Sequence, residues 1–117
     1  MIPLPDPSLS EEIDPAAVAA LAANVAAGQV VLVDCRESDE WALCHLPGAR
    51  LVPLSEFPDS ANPLVAAGVP CVVYCHHGMR SLRATRWLRA QGLASCFSMT
   101  GGIDRWSVEI DPLVPRY

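Results

Sequence analysis

The chain contains no lysine; all eight of its basic residues are arginines. That substitution reads as a bias of the coding sequence, with arginine's rigid, always-charged fork available wherever chemistry needs it. A basic excess is also missing. Thirteen acidic residues outnumber the eight arginines, for a formal charge of -5. Nonspecific nucleic-acid binding is therefore excluded as a default. The first residues, MIPLPDPSLSEE, lack a basic segment followed by an apolar run, so they do not read as a signal peptide. The longest alanine-rich stretch, Ala16 to Ala27, is too short to span a bilayer and contains Asn24. No membrane partner is expected. No internal repeat and no linker divides the 117 residues. One domain over 1–117 is expected, with an N-terminal surface arm over about 1–10 and a C-terminal tail over about 108–117. Even pairing of cysteines is impossible, because there are five. Without a secretion signal these read as reduced thiols of a cytoplasmic protein, with at least one free to be reactive.

What is present is alternation. A hydrophobic fraction of 51% with 18% charge marks a globular chain, large enough to bury a core without metal or disulfides. Residues 14–28 carry helix punctuation: Asp14 to cap, Pro15 for the first turn, Gly28 to stop. Val18, Leu21, Ala22 and Val25 would share one face. The run Val30 to Cys35 is continuously apolar up to Asp34, as in a strand buried on both faces. A short helix over residues 37–44, a strand over 49–54, and helix or loop over 55–68 follow. Pro70 to Cys75 is the next strand, 80–92 the next helix, 94–102 a last strand running into a turn, and IDRWSV one more helical turn. Helices alternating with buried strands predict an α/β fold with a mostly parallel sheet of about five strands flanked by helices. Ligands in such sheets bind beyond the carboxyl ends of strands, where Cys75 falls.

The segment Cys75-His76-His77-Gly78-Met79-Arg80-Ser81 joins that strand to its helix. Gly78 permits the left-handed angles a tight curl requires. Successive N–H groups in such a curl, together with the helix N-terminus, form a nest for an anion. Both features favour a Cys75 thiolate over a thiol. Arg80 is misplaced for the helix dipole, but it suits a site that binds an anion, whose oxygens its guanidinium can hold bidentately. Four residues separate Cys75 from Arg80. That loop is too tight for a phosphate tetrahedron and can surround one extra sulfur carried on the cysteine.

The loop resembles the active loop of the rhodanese, or sulfurtransferase, family, and in particular a group of small stand-alone bacterial members with Cys-His-His-Gly-x-Arg-Ser. Residues 30–54, VVLVDCRESDEWALCHLPGARLVPL, resemble the family's first block, Asp-x-Arg followed by His-x-Pro-Gly-Ala. TGGIDRW, 100–106, resembles its closing Gly-Gly-x-x-x-Trp block. One departure is Cys44, where the family usually has glycine before the histidine. The resemblance implies a rhodanese-like fold and covalent catalysis in two half-reactions. Cys75 would take a sulfane sulfur from thiosulfate or from a low-molecular-weight or protein persulfide. A thiol or cyanide acceptor, or a protein thiol or sulfur carrier, would then remove it. The loop His76, His77, Gly78, Met79, Arg80 and Ser81 would bind substrate and persulfide, mainly through backbone N–H groups, with Arg80 on the sulfonate end. No metal or organic cofactor is implied beyond the covalent Cys75 persulfide. Mercaptopyruvate is disfavoured as donor, because the loop is not rich in serine and threonine.

Other readings stand beside this one. Asp34 reads as structural support near the strand end. Arg36 either supports the loop or pairs on the surface with Glu40. His45 reads as a hydrogen-bonding member of its turn. Cys35, Cys71 and Cys96 read as core thiols, and Cys44 as a thiol that could resolve Cys75. A zinc site from Cys71, Cys75, His76 and His77 lacks a second ligand pair at usual spacing. Arg83, Arg86 and Arg89 form a helix stripe suited to solvent or to an acidic partner. A phosphatase, or a noncatalytic module that carries or senses sulfur, are the competing functions.

Overall fold

The strands are short, two to four residues each, and the charged residues Glu12 and Arg50 lie on the two edge strands. In the computed structural model, which describes residues 2–117, strand β1 is Glu12–Ile13 and helices α1 and α2 are Pro15–Ala19 and Ala22–Ala26. Strand β2 is Val31–Asp34, α3 is Ser38–Leu43, β3 is Arg50–Leu51, and a 3-10 turn spans Leu54–Glu56. Helix α4 is Asn62–Ala67, β4 is Cys71–Tyr74, α5 is Met79–Ala90, β5 is Cys96–Met99, and α6 is Gly102–Glu109. The strands form one five-stranded sheet in the order β1-β5-β4-β2-β3, with every pairing parallel. All residues of the central β4 and of β5 are buried.

Side-chain alternation divides the core in two. Val33, Cys71, Val73 and Cys96 face one side and pack with Leu64 of α4 and with Ala84 and Leu88 of α5. Leu32, Val72, Tyr74, Phe97 and Met99 face the other and pack with Val18 of α1, with Leu21, and with Ile103 of α6. Apolar burial on both faces is what a parallel sheet requires.

Three local expectations change. The helix expected over 14–28 is two short helices. Asp14 does cap, accepting from Ala17 N at 2.8 Å. A tight bond from Leu21 N to Val18 O, 2.9 Å, then turns the chain where Leu21 is fully buried. Burial of that one large side chain outweighs the helical propensity of the alanines around it. The fifth strand, β1, follows directly on the N-terminal arm. Glu12 pairs with Ser98 and Ile13 with Met99; two residues are too few to show a period. The arginine stripe of α5 is not simply solvated. Arg86 pairs with Glu11 at 2.8 Å, and Arg89 donates to Cys96 O, Pro7 O and Ser10 O at 2.7–2.8 Å. These residues tie the arm to the sheet edge.

At the end of β2, Asp34 and Arg36 are both fully buried. Arg36 Nε donates to both Asp34 carboxylate oxygens at 3.0 and 3.1 Å, and its Nη2 to Oδ2 at 2.7 Å. The same nitrogen reaches Cys44 O at 2.6 Å, and Nη1 reaches the Tyr117 hydroxyl at 2.8 Å. A surface pair of Arg36 with Glu40 is thereby ruled out, because the guanidinium is spent inside. The pair pins the β2 end to the turn after α3 and to the chain's last residue. Asp34→Ala would strand a buried guanidinium, at an expected cost of about 3–5 kcal/mol in urea denaturation. A variant as stable as wild type would show that solvent or another group takes over the charge.

Candidate active site

Cys75 follows the last residue of β4 and is buried, with 1% exposure. The chain then curls through His76, His77 and Gly78 into α5. Gly78 has φ +105° and caps that helix. The Gly78 N–H donates to Cys75 Sγ at 3.1 Å, and the Ser81 N–H, in the first turn of α5, at 3.3 Å. Ser81 Oγ lies 3.4 Å from the sulfur and 2.7 Å from Ser98 Oγ on β5. Two amides, Gly78 from the loop and Ser81 from the helix, thus converge on Sγ.

A helix on the far side of the sheet holds the curl open. Ile103 N, in the first turn of α6, donates to Cys75 O at 2.8 Å, and Asp104 N to His76 O at 3.1 Å. The unsatisfied amides of one helix start therefore bind the carbonyls of the loop. The approach is close. Gly102 has φ +61°, and a methyl group there would overlap the Cys75 and His76 carbonyls. Gly102 of TGGIDRW serves this contact, whereas a side chain at Gly101 would meet the Arg105 side chain instead.

The electrostatics follow from the geometry. The neighbouring Cys35 thiol, then the Ser81 hydroxyl and the Ser81 and Gly78 amides, draw Cys75 down to about 5, against a burial effect of opposite sign. Cys75 beside it, burial and the Cys75 charge hold the Cys35 thiol protonated. Arg80 does not stand free. Its Nη1 and Nη2 bind Glu40 Oε1 and Oε2 at 2.6 and 2.9 Å. Arg80, assisted by the Tyr117 hydroxyl at 2.7 Å, brings Glu40 down to about 2. The anion that resolves Arg80's conflict with the helix dipole is here a carboxylate of α3.

The remaining sequence candidates fall at different distances from the sulfur. His76 stacks under Tyr117, with ring centroids 3.9 Å apart, and its buried Nε2 has no partner among the described residues. His77 is exposed, with Nδ1 3.9 Å from Asp104 Oδ2. Met79 points to solvent, 78% exposed. His45 stacks on Trp41 and its Nδ1 lies 3.0 Å from Trp41 O, so its bond belongs to its own turn. Asp34 and Arg36 reach the site only through Tyr117 and Glu40. Cys44 has φ -170°, an extended conformation open to any residue, so its replacement of glycine causes no strain. Sequence reasoning missed Glu40, Tyr117, Ser98 and the closeness of Cys35. All four are brought in by the sheet order or by the chain end folding back, and none by local spacing.

A family model described as the rhodanese-like domain matches residues 17–109. The chain belongs to that family. Rhodanese-like/PpiC domain-containing protein 12 of Arabidopsis thaliana is 36% identical over 89 residues, covering 74% of this chain and 30% of the plant protein. The uncharacterized protein YqhL of Bacillus subtilis is 34% identical over 79 residues, 68% of this chain and 62% of that one. The chain thus spans less than two thirds of either relative. The structure of the human single-domain sulfurtransferase TSTD1 superposes with a TM-score of 0.67 at 26% identity, covering 86% of this chain and 97% of that one.

Two outcomes are expected of this rhodanese-like site. In the wild-type-minus-Cys75→Ser difference, thiolate absorbance should rise with pH through about 5, well below an unperturbed thiol at about 8.5. A midpoint in the ordinary thiol range would mean the amides do not act on Sγ. Gly102→Ala should cost at least the 1–3 kcal/mol of left-handed strain, roughly, in urea denaturation, and should move the Cys75 midpoint upward. An unchanged midpoint would separate the loop from its α6 support.

Proposed function

We propose that this rhodanese-like domain is a sulfurtransferase that moves a sulfane sulfur through a persulfide on Cys75. The observation that carries the reading is a buried sulfur, drawn down to about 5, at the centre of converging N–H donors. Such a thiolate is an activated nucleophile at neutral pH. With thiosulfate, Cys75 Sγ attacks the outer sulfur. A new S–S bond forms, the donor S–S bond breaks, and sulfite leaves with the bonding pair. The acceptor, a thiolate or cyanide, then attacks the outer sulfur of the persulfide and returns Cys75 as thiolate. The amides that hold the thiolate also suit the extra sulfur. No metal or organic cofactor enters either step.

Arg80 carries the anionic end of the donor in this reading, with Glu40 as the group it leaves or shares. Because Glu40 takes both of its arms, a persulfide on a small molecule or a protein competes well with thiosulfate as donor. The same occupancy supports a second reading, a sulfur carrier or regulatory module that passes sulfur between proteins without free turnover. The Gly78 and Ser81 amides hold the sulfur in both readings, the rest of the loop from His76 to Arg80 is assigned to substrate, and Asp34 and Arg36 anchor Tyr117 beside it. Five free cysteines suit a reducing, cytoplasmic setting. Nucleic acid and membrane have no part in the reaction. No helix among the described residues is long and apolar enough to cross a bilayer.

Incubation of reduced protein with thiosulfate or glutathione persulfide, followed by intact mass without reductant, is the test. A gain of one sulfur in wild type, absent in Cys75→Ser and released by cyanide, is expected. Loading without multiple turnover would select the carrier reading. No loading by any sulfane donor would overturn both.

A further inference from the structure

Cys35 is a buried thiol that forms and breaks no bond in the proposed sulfur transfer. It follows β2 as Cys75 follows β4, and the two strands are in register from Val31–Cys71 to Asp34–Tyr74. Cys35 N continues the ladder by donating to Tyr74 O at 3.0 Å. That bond seats Cys35 against the residue that precedes Cys75, and each cysteine is the first residue past its strand. Neighbouring parallel strands run about 4.7–4.9 Å apart, inside the roughly 4.4–6.8 Å Cα separation that a disulfide spans. Both side chains enter the same buried cluster, on one face of the sheet.

We propose that Cys35 is the resolving thiol of Cys75, and that oxidation by a hydroperoxide converts the pair to a Cys35–Cys75 disulfide. The inference rests on Cys75 being the reactive thiolate of the function proposed above, whatever the sulfur donor. Cys75 Sγ attacks a peroxide oxygen, the O–O bond breaks, hydroxide or alkoxide leaves, and Cys75 becomes a sulfenic acid. Cys35 sulfur then attacks Cys75 Sγ. The S–S bond forms, the S–O bond breaks, and the Cys35 proton leaves with the hydroxyl as water. A dithiol reductant restores both thiols and is itself oxidised to a disulfide. The disulfide keeps Cys75 off the irreversible part of the oxidation ladder.

Cys71 and Cys96 provide an internal control. They too are register partners on adjacent strands, on the same face. Burial pushes Cys71 up to about 11 and Cys96 up to about 12, and no amide nest surrounds either. Proximity without thiolate character should leave them reduced.

The experiment is graded hydrogen peroxide on the reduced full chain, alkylation of remaining thiols, and nonreducing peptide mapping after cleavage at arginine. Complete cleavage places Cys35 within 1–36, Cys44 within 37–50, Cys71 with Cys75 in 51–80, and Cys96 within 90–105. The expected product links 1–36 to 51–80 through Cys75, assigned by fragmentation, and dithiothreitol reverses it. In Cys35→Ala and Cys35→Ser, Cys75 should pass to sulfinic acid, and recovery by reductant should be lost. Wild type that yields Cys75 sulfinic acid with Cys35 alkylated would overturn the proposal. So would a link from 37–50 through Cys44, or equal linking of Cys71 to Cys96. The wild-type map decides even where a variant folds poorly. Disulfide without sulfur loading would sink the transfer reading alone; loading without disulfide would sink only this one.

Discussion

The site depends on two hydrogen bonds that never touch the sulfur, from the first turn of α6 to the carbonyls of Cys75 and His76. A trans peptide is planar, so a carbonyl fixed on one side sends its amide to the other. Holding these two carbonyls on α6 therefore turns the His76 and His77 amides away from that helix. The curl then completes through Gly78 and delivers the Gly78 and Ser81 N–H groups to Sγ. Two helix N-termini divide the work: α6 binds the loop's carbonyls, and α5 supplies an amide to its sulfur. The contact is possible only because Gly102 has no side chain where the loop passes.

The charged groups form a second system that leads from the core to the rim. Asp34 holds Arg36, Arg36 holds the Tyr117 hydroxyl, Tyr117 donates to Glu40, and Glu40 holds Arg80. The two acids and two arginines alternate, so the chain is locally balanced while the molecule carries -5. The influences that lower Cys75 are consequently neutral, a thiol, a hydroxyl and amides, working against its burial. Dipoles fixed by packing keep their strength where salt would screen an exposed ion pair. The end of the chain belongs to this system too, since Tyr117 both bridges the charges and stacks on His76.

Much of this was legible along the chain. The apolar runs ending in Asp34 and Cys75 identify buried parallel strands, and each strand found lies inside its expected run, save β1. Gly78 marks a place where the backbone must do something a side chain forbids, while the same demand at Gly102 appears only once α6 meets the loop. The loop from Cys75 to Ser81 could be read as an amide nest because its donors are local, within six residues of the sulfur. The break at Leu21 was not legible, since it depends on what that side chain meets across the sheet face. Nor was the partner of Arg80, because Glu40 is far away in sequence and was a plausible neighbour of Arg36.

The sequence by itself determined the α/β class, the strand-to-helix loop around Cys75, and the likeness to rhodanese-like domains now supported by the family match over 17–109. These are properties of short windows, set by side-chain period, glycine's freedom and the order of residues in a loop. Only the tertiary structure decided which cysteine stands beside Cys75, which acid satisfies Arg80, and where Asp34 and Arg36 spend their charges. Those are facts of strand order and register. Placing β2 beside β4 brings Cys35 to Cys75 across a separation of forty residues that no local pattern records.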